Sequence, residues 1–505
     1  MSALTLGRLR RDGQAFMEAI SREVYLAQSG QKETAELQPL YERYAHAMGE
    51  ESLALVFDAF RGAAPDGEDY RALRQLLDWQ VESQSSRELA ELDEREIAWE
   101  NRAMAVLPDG TRVPYQRASI DIANSTDRAA RMALEAARAR LVQEELAPLR
   151  LEHFQRERDI TERLGLAAGY NAAFDLLAGF SLLDLRAECE QFLRDTQAMW
   201  DEVYVEFVKR ELKLAPDEAT RADALALMRA REFDAGFPWA LMQERILGQV
   251  RDMGVGPDGD GRVIFDTGER EGKRARAFCA PVRVPDEVYL VLRPHGGQND
   301  WNTFLHELGH ALHFAYMRPD LPFEYRWLGD NSVTEGYAML FDHRMQDPRW
   351  LARYAELGKA DIPRFLRSAG FEELQFLRRY CAKLIYETHL YGGDVPWGAL
   401  PDLYVQLLTD ATTFRYGPAD AFVDVDARYY AARYLRAWQL QALLNETLTE
   451  RFDEDWWRNP RTGPWMVGEL FGEGQRELAH EQAARVANRP LSFAPLVRSV
   501  ERLLG

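Results

Sequence analysis

The spacing of apolar residues predicts a mainly α-helical chain. From the start of the sequence to about residue 250, apolar residues recur at helical intervals between charged ones. The stretch from Ala129 to Leu146 consists almost entirely of strong helix formers. In a later predicted helix, one face carries Phe192, Met199, Val203 and Phe207. These patterns are typical of helices that pack against other helices.

The pattern changes near residue 250. The segment from Asp252 to Arg262 is rich in Gly and Asp and predicts a turn region that ends the helical half. Two strand candidates follow, Arg276 to Val284 and Val288 to Arg293, with Pro285 to Glu287 between them. We interpret them as a β-hairpin, and the continuous apolar run in the second strand predicts burial on both faces.

Two further helices are predicted after the hairpin. Asp300 is expected to cap the first, because Pro294 to Gly297 interrupts the strand pattern just before it. Its buried side should carry Phe304, Leu305, Leu308, Ala311 and Leu312. The second should include Val333 to Phe341.

The first of these helices contains a candidate metal-binding motif, His306-Glu307-Leu308-Gly309-His310. Residues four apart lie on nearly the same helix face, so His306 and His310 can bind one zinc ion. Glu307 is rotated away from that face and is suited to act as a base on water. A random match to this pattern should occur on the order of once per hundred such sequences. The motif therefore predicts a catalytic zinc site more strongly than two unrelated surface histidines.

A catalytic zinc usually has three protein ligands, so a third should follow. A third His six residues after the second is excluded, since position 316 is Tyr316. Glu335 is the best candidate because an acidic residue among apolar neighbours needs a partner. Its alternative is a carboxylate that stabilises a helix start. The other acidic residues in reach are Asp320, Glu324, Asp330 and Asp342.

At these residues the sequence resembles the thimet oligopeptidase and oligopeptidase F family. The family core is similar to Leu305-His-Glu-Leu-Gly-His-Ala-Leu-His313, and Glu335 lies where the family places its third ligand. Asp342 follows where the family commonly has an acidic residue. The segment from Gly272 to Cys279 also resembles the family. The residues after Glu335 depart from it, since Gly-Tyr-Ala replaces the usual small residue, Pro and Ser.

The resemblance implies a mainly α fold with a small β-sheet beside a deep active-site channel. Residues 1–250 would form part of the channel wall, and residues 251–505 would form the zinc-peptidase catalytic region, within one continuous peptidase fold. It further implies one Zn²⁺ per chain and hydrolysis of short oligopeptides, which a narrow channel would select.

Several other residues are candidates for roles at such a site. Tyr434, and after it Tyr430, would stabilise the oxyanion, as a Tyr-rich segment does in the families that this chain resembles; amphipathic packing is the alternative. His313 would orient the site, or simply pack. Asp342 or Asp330 would accept an N–H from a ligand histidine. An extended peptide could pair with the strand edge at Ala277, Phe278 and Cys279, which could equally be an ordinary strand.

Composition limits the partners. The 505-residue chain is 46% hydrophobic and 29% charged, with a formal net charge of −20, which argues against nucleic acid and anionic membranes. No apolar run approaches 18 residues, so we expect a cytoplasmic protein. Three widely spaced cysteines predict buried thiols. The oligomeric state stays open.

Two other functions compete with an oligopeptidase. A carboxy-terminal dipeptidase would need a cation that holds the terminal carboxylate of the substrate, and the sequence has too many arginines to choose one. A catalytically inactive zinc-binding or peptide-binding protein would not need Glu307 beside a ligand.

Overall fold

The computed structural model describes residues 4–65 and 67–505. Helices dominate it. Those that precede the larger sheet are α1 Leu6–Gln28, α2 Gln38–Tyr44, α3 Glu50–Gly62, α4 Glu68–Arg102, α5 Tyr115–Asn124, α6 Arg128–Leu141, α7 Ala147–Leu164, α8 Tyr170–Ala178, α9 Leu182–Asp195, α10 Gln197–Phe207, α11 Arg221–Leu227 and α12 Trp239–Asp252. Those that follow it are α13 Gln298–Ala315, α14 Phe323–Trp327, α15 Asn331–Asp342, α16 Pro348–Tyr354, α17 Asp361–Gly392, α18 Leu400–Thr412, α19 Tyr430–Phe452, α20 Thr462–Glu469, α21 Ala479–Ala487 and α22 Ala494–Leu504.

Two small sheets accompany the helices. Strands β1 Met104–Val106 and β2 Arg112–Pro114 form an antiparallel hairpin. The larger sheet contains β3 Val263–Asp266, β4 Phe278–Arg283 and β5 Glu287–Val291 in the order β3-β5-β4. Strand β5 is central, parallel to β3 and antiparallel to β4. The predicted mainly α fold and the predicted hairpin are therefore confirmed.

The chain divides into two units, each assembled from separate stretches. The first unit comprises the chain up to Gln84, Glu232–Leu366 and Arg436–Ser499. It contains the larger sheet, against which α1 packs through Tyr25. The second unit comprises Ser85–Arg231, Arg367–Leu435 and Val500–Gly505. The different roles predicted for residues 1–250 and 251–505 stay a prediction.

Helix α13 carries the motif, and its N-terminus is fixed by several short contacts. Its N-cap is Gly297 with a φ of 83°, where a Cβ would lie 2.4 Å from the carboxylate of Asp234. Only glycine fits there without strain. Asp300 lies inside the first turn and accepts hydrogen bonds from the backbone N–H groups of His295 and Gly296, at 2.8 and 2.6 Å. The prediction that Asp300 itself caps the helix was wrong, because its carboxylate ties down the preceding loop instead.

The apolar face of α13 is buried as predicted. Its five predicted core residues are at most 1% exposed; they are Phe304, Leu305, Leu308, Ala311 and Leu312. Full burial of a large apolar side chain contributes about 1.5–3 kcal/mol. This burial holds the opposite face of the helix, with the motif, in a fixed orientation.

Other local predictions had mixed outcomes. Residues 129–146 are helical, but α6 passes into a π-helical segment, Val142–Leu146. Phe192 and Phe207 are both buried but lie on different helices, because the helix is interrupted at Thr196, between α9 and α10. The hydroxyl of Thr196 bonds to the carbonyl of Phe192, which satisfies an acceptor at the end of α9. Within the described residues, no helix is both long and apolar enough to cross a membrane.

Candidate metal centre

Two neighbouring helices bring three potential ligands together. His306 and His310 lie one turn apart on α13, and Glu335 lies on α15. Glu335 Oε2 lies 3.4 Å from His306 Nε2 and 3.6 Å from His310 Nε2. One ligand atom of each residue lies within 4.8 Å of the other two. Tetrahedral ligands about 2.1 Å from an ion lie roughly 3.4 Å apart, so the three side chains fit one zinc ion.

The far ring nitrogens of both histidines are also held. His306 Nδ1 donates to Asp342 Oδ2 at 2.8 Å, since a carboxylate can only accept, and His310 Nδ1 lies 2.9 Å from Thr334 Oγ1, which can accept from it. With the proton on Nδ1, each Nε2 presents its lone pair to the centre of the cluster. This is the tautomer that a metal-binding histidine needs, so the donor set fits the implied ion.

Electrostatics at the cluster favour a cation. Burial lowers the pKa of His306, but without a metal Asp342 and Glu335 together raise it to about 10, so a bound ion would have to displace the second proton of this ring. Burial raises the pKa of Glu335, but His310 and His306 bring it well below its ordinary value. The side chain of Glu335 is only 9% exposed, and that of Asp342 only 10%. Two ionised carboxylates in a largely buried site create a negative potential that an ion would neutralise.

Gly309, inside the motif, allows α13 and α15 to approach closely. A Cβ at this position would lie 2.7 Å from Ala338 Cα and 2.8 Å from the carbonyl oxygen of Tyr337. Both are backbone atoms of α15, which cannot turn aside as a side chain can. The glycine thereby lets Glu335 reach the two histidines.

Glu307 lies beside the cluster without belonging to it. Its side chain is half-buried, and its charge acts on the Cys279 thiol of β4, whose pKa is raised well above its ordinary value chiefly by burial. The carboxylate of Glu307 therefore lies near strand β4, in which Phe278 pairs with Val291 and Cys279 with Leu290. In the part of the chain that the structure describes, no strand pairs with the other edge of β4.

The loop before β4 is anchored by a buried lysine. Lys273 is 3% exposed, and its ammonium donates to Asp266 O, Asp266 Oδ1 and Gly268 O at 2.7, 2.8 and 2.8 Å. Three acceptors satisfy all three of its N–H groups. These bonds fix the loop that leads from Lys273 to Ala277, which is itself buried.

The other candidate residues lie in varied surroundings. His313 is fully buried, its Nε2 faces the carbonyl of Gly474 at 3.3 Å, and burial lowers its pKa to about 3. Its ring packs edge-on against Tyr337, as expected for a histidine in a core. Asp330 is the N-cap of α15 and accepts from Ser332 N, so it supports the helix rather than a ligand.

The two candidate tyrosines belong to the second unit, near the start of α19. Both are partly buried, and their rings meet edge to face with centroids 4.8 Å apart. The turn before them contains Arg428 and Tyr429 with φ of 52° and 54°, in the left-handed region. An oxyanion role for Tyr434 or Tyr430 stays a prediction.

Sequence reasoning missed two neighbours of the centre. Thr334, which holds His310, directly precedes Glu335, but nothing in a Thr before a Glu indicates that it bonds to a histidine. His343 Nδ1 lies 2.5 Å from Asp342 Oδ1, the carboxylate oxygen that does not bond to His306. Of the predicted buried thiols, Cys189 and Cys381 are buried, whereas Cys279 is partly exposed as a whole residue although its thiol is enclosed.

Comparison with known proteins shows the fold. No protein-family model matches the chain, and no curated protein matches it. Among solved structures, the chain is similar to Trypanosoma cruzi metallocarboxypeptidase 1, with a TM-score of 0.63 and 12% sequence identity. The match covers 99% of each chain. At this identity the likeness concerns the fold alone, which extends over nearly the whole length of both proteins. The resemblance to the thimet oligopeptidase and oligopeptidase F family stays a prediction.

Proposed function

We propose that the chain is a zinc-dependent peptidase that binds one Zn²⁺ and hydrolyses short peptides. The observation that carries the proposal is the cluster of His306, His310 and Glu335, with each histidine oriented by a second hydrogen bond. Three protein ligands leave a fourth position for substrate or water, which is typical of catalytic rather than structural zinc. Three free cysteines are compatible with a cytoplasmic location.

Glu307 is proposed as the general base. When bound, zinc at this site would polarise the scissile carbonyl and make water more acidic. Glu307 would accept a proton from the attacking water and deliver it to the nitrogen of the leaving amine. Because it follows His306 directly on the same helix, its distance from the ligands is fixed by helix geometry. A purely structural site would not need a carboxylate at this position.

Strand β4 is proposed to bind the peptide. Its outer edge pairs with no described strand; Ser21 Oγ already donates to the carbonyl of Pro281 there at 2.7 Å, so the part of the edge near Cys279 is the part that would offer backbone groups to an extended substrate. Phe278 and Cys279 begin β4, directly after Ala277, and Cys279 lies near Glu307; the bonds of Lys273 fix the loop before them. Recognition through the main chain would leave the sequence preference loose. Tyr434, with Tyr430 as the second candidate, is proposed to stabilise the oxyanion.

A carboxypeptidase is the second candidate function. A solved structure that matches 99% of this chain is named as a metallocarboxypeptidase. Such an activity would remove residues from the carboxyl end of a peptide and would require a cation that holds the terminal carboxylate. It uses the same metal centre and the same base, so it differs from the first candidate in where the peptide is cut.

The test measures hydrolysis of a library of short synthetic peptides by the protein before metal removal, after metal removal and after zinc is returned. Mass spectrometry identifies the products. Hydrolysis should disappear with a chelator and return with zinc. Cuts inside peptides would support an oligopeptidase, and stepwise loss of carboxy-terminal residues would support a carboxypeptidase. His310→Ala should lose bound zinc and activity. The control His46→Ala changes an exposed histidine in the same unit and should keep both. A zinc-loaded protein without hydrolysis of any peptide would refute both functions.

A further inference from the structure

The open end of the β4–β5 hairpin carries two exposed arginines, Arg276 and Arg293. The antiparallel register of the two strands pairs Phe278 with Val291. Two positions further along, the same register sets Arg276 opposite Arg293, at the spacing of cross-strand neighbours. The hairpin therefore brings two positive charges side by side on the surface.

The two segments also stay close beyond the last strand pair. The His295 ring nitrogen Nε2 lies 3.3 Å from the carbonyl oxygen of Ala275, which accepts from it. Just before this contact, Arg274 Nη1 donates to Gln28 Oε1 at 3.0 Å, at the end of α1. The backbone that carries Arg276 is thus held on both of its sides.

The partners of the basic residues in this region differ. Arg270 and Lys273 both pair with Asp266, at 3.0 and 2.8 Å. In the part of the chain that the structure describes, Arg276 and Arg293 have neither a carboxylate oxygen within 4.0 Å nor a hydrogen-bond acceptor. Like charges that face each other across two strands are destabilising. An anion bound between the two guanidinium groups would relieve this repulsion.

This end of the hairpin adjoins the part of β4 that is proposed to bind the peptide. Cys279, whose thiol lies near Glu307, follows Arg276 by three residues. At about 3.3 Å per residue, this separation is roughly 10 Å along the strand. A peptide that extends along β4 from Cys279 towards Arg276 would therefore bring its third residue beside the two arginines.

We propose that Arg276 and Arg293 together bind a carboxylate of the substrate, so that the chain prefers peptides with an anionic group about three residues from the cleaved bond. This inference rests on the proposed function and names its substrate class. The carboxylate belongs either to an Asp or Glu side chain or to the carboxyl terminus of the peptide, since a guanidinium binds both in the same way. A terminal carboxylate at this position would favour release of short carboxy-terminal peptides over release of single residues.

The test measures peptide binding by isothermal titration calorimetry to the zinc-loaded Glu307→Gln chain, which is chosen so that the peptides are not consumed. One set of hexapeptides has blocked ends and a single glutamate, and each is matched by a peptide with glutamine at the same position. A further pair of neutral hexapeptides has a free or an amidated carboxyl terminus. At least one anionic peptide should bind about fivefold more tightly than its neutral match. The pair that shows this difference identifies the source of the carboxylate.

Substitutions show whether the two arginines cause the difference. Arg276→Gln and Arg293→Gln should each reduce it to less than about twofold, while zinc content and the affinity for the neutral peptide stay unchanged. Arg283→Gln is the matched control, because Arg283 is an exposed arginine at the other end of β4, where it faces Asp286. This control should keep the full difference.

Two results would overturn the proposal. One is that no anionic peptide binds more tightly than its neutral match. The other is that the difference persists in Arg276→Gln and Arg293→Gln. Because binding is measured without turnover, either result can be distinguished from failure of the proposed function, which would appear as the absence of hydrolysis of every peptide by the native chain.

Discussion

Replacing Gly309 with alanine is the sharpest structural test of the metal centre. The added Cβ would lie 2.7 Å from Ala338 Cα and 2.8 Å from the carbonyl oxygen of Tyr337. Ordinary contacts begin at 3.4 Å, so the two helices must separate by about 3.4 − 2.7 = 0.7 Å. That displacement would carry Glu335 away from both histidines.

Gly309→Ala should weaken zinc binding more than it destabilises the fold. Overpacking of this kind costs about 1–3 kcal/mol of unfolding free energy, and the better helix propensity of alanine offsets about 1 kcal/mol of it. The metal-free protein should therefore lose no more than about 2 kcal/mol and stay folded. Metal–ligand distances tolerate only about 0.2 Å, so zinc affinity should fall at least tenfold. Competition with a chromogenic chelator measures the affinity, and chemical unfolding of the metal-free protein measures the stability.

Gly248→Ala is the matched control. It also changes a helical glycine of the first unit, but the nearest atom to its Cβ is the flexible Nη2 of Arg251 at 3.8 Å. We expect it to raise the unfolding free energy by about 0.5–1 kcal/mol and to leave zinc affinity unchanged. If Gly309→Ala binds zinc as tightly as the native chain, the close approach of α13 and α15 does not position the ligands.

Three further predictions concern buried charges. Asp342→Asn weakens the acceptor for His306 Nδ1 and should lower zinc affinity by roughly 10–100-fold in the same competition assay. Arg344 is buried with two guanidinium nitrogens that lack hydrogen-bond partners, so Arg344→Met should raise the unfolding free energy by about 1–3 kcal/mol in urea. Asp420→Asn breaks a buried two-bond ion pair with Arg138, at 2.9 and 2.8 Å, and should cost about 3–5 kcal/mol. Burial raises the pKa of Asp420, but neighbouring arginines bring it below 3.8; its stabilisation is therefore present above that pH and lost on acidification below it.

Each of these predictions has a contradicting result. Unchanged zinc affinity in Asp342→Asn would mean that the carboxylate does not orient His306. A loss of stability in Arg344→Met would mean that the packing of the cation against Phe341 and Trp456 outweighs its burial cost. If the unfolding free energy falls as steeply on acidification in Asp420→Asn as in the native chain, Asp420 does not contribute to the acid sensitivity.

The elements at the site could be predicted because their signals are local. The apolar face of α13, the four-residue spacing of the histidines and the hairpin are all visible within short windows of sequence. An acidic residue in the apolar segment of α15 pointed to Glu335, which the structure brings to both histidines. These features depend on periodicity, which a single sequence displays directly.

The remaining features depend on contacts between distant segments. Strand β3 is only four residues long, and its parallel partner β5 lies more than twenty residues later. The units are assembled from stretches that are separated by more than sixty residues in every case, and no change of composition marks the boundaries of these stretches. The break at Thr196 interrupts an apolar pattern that continues across it. The burial of Arg344 could not be predicted from the sequence, since burial of a charge is set by tertiary packing.

The most direct measurement compares zinc content and peptide hydrolysis in the native chain and in Glu307→Gln. Glutamine keeps the size of the side chain but cannot accept the proton from water, and it lies outside the ligand set. Zinc should remain at one ion per chain, while the hydrolysis rate should fall by at least about 100-fold. Hydrolysis at the native rate with zinc retained would contradict the proposed role of Glu307 and, with it, the proposed peptidase mechanism.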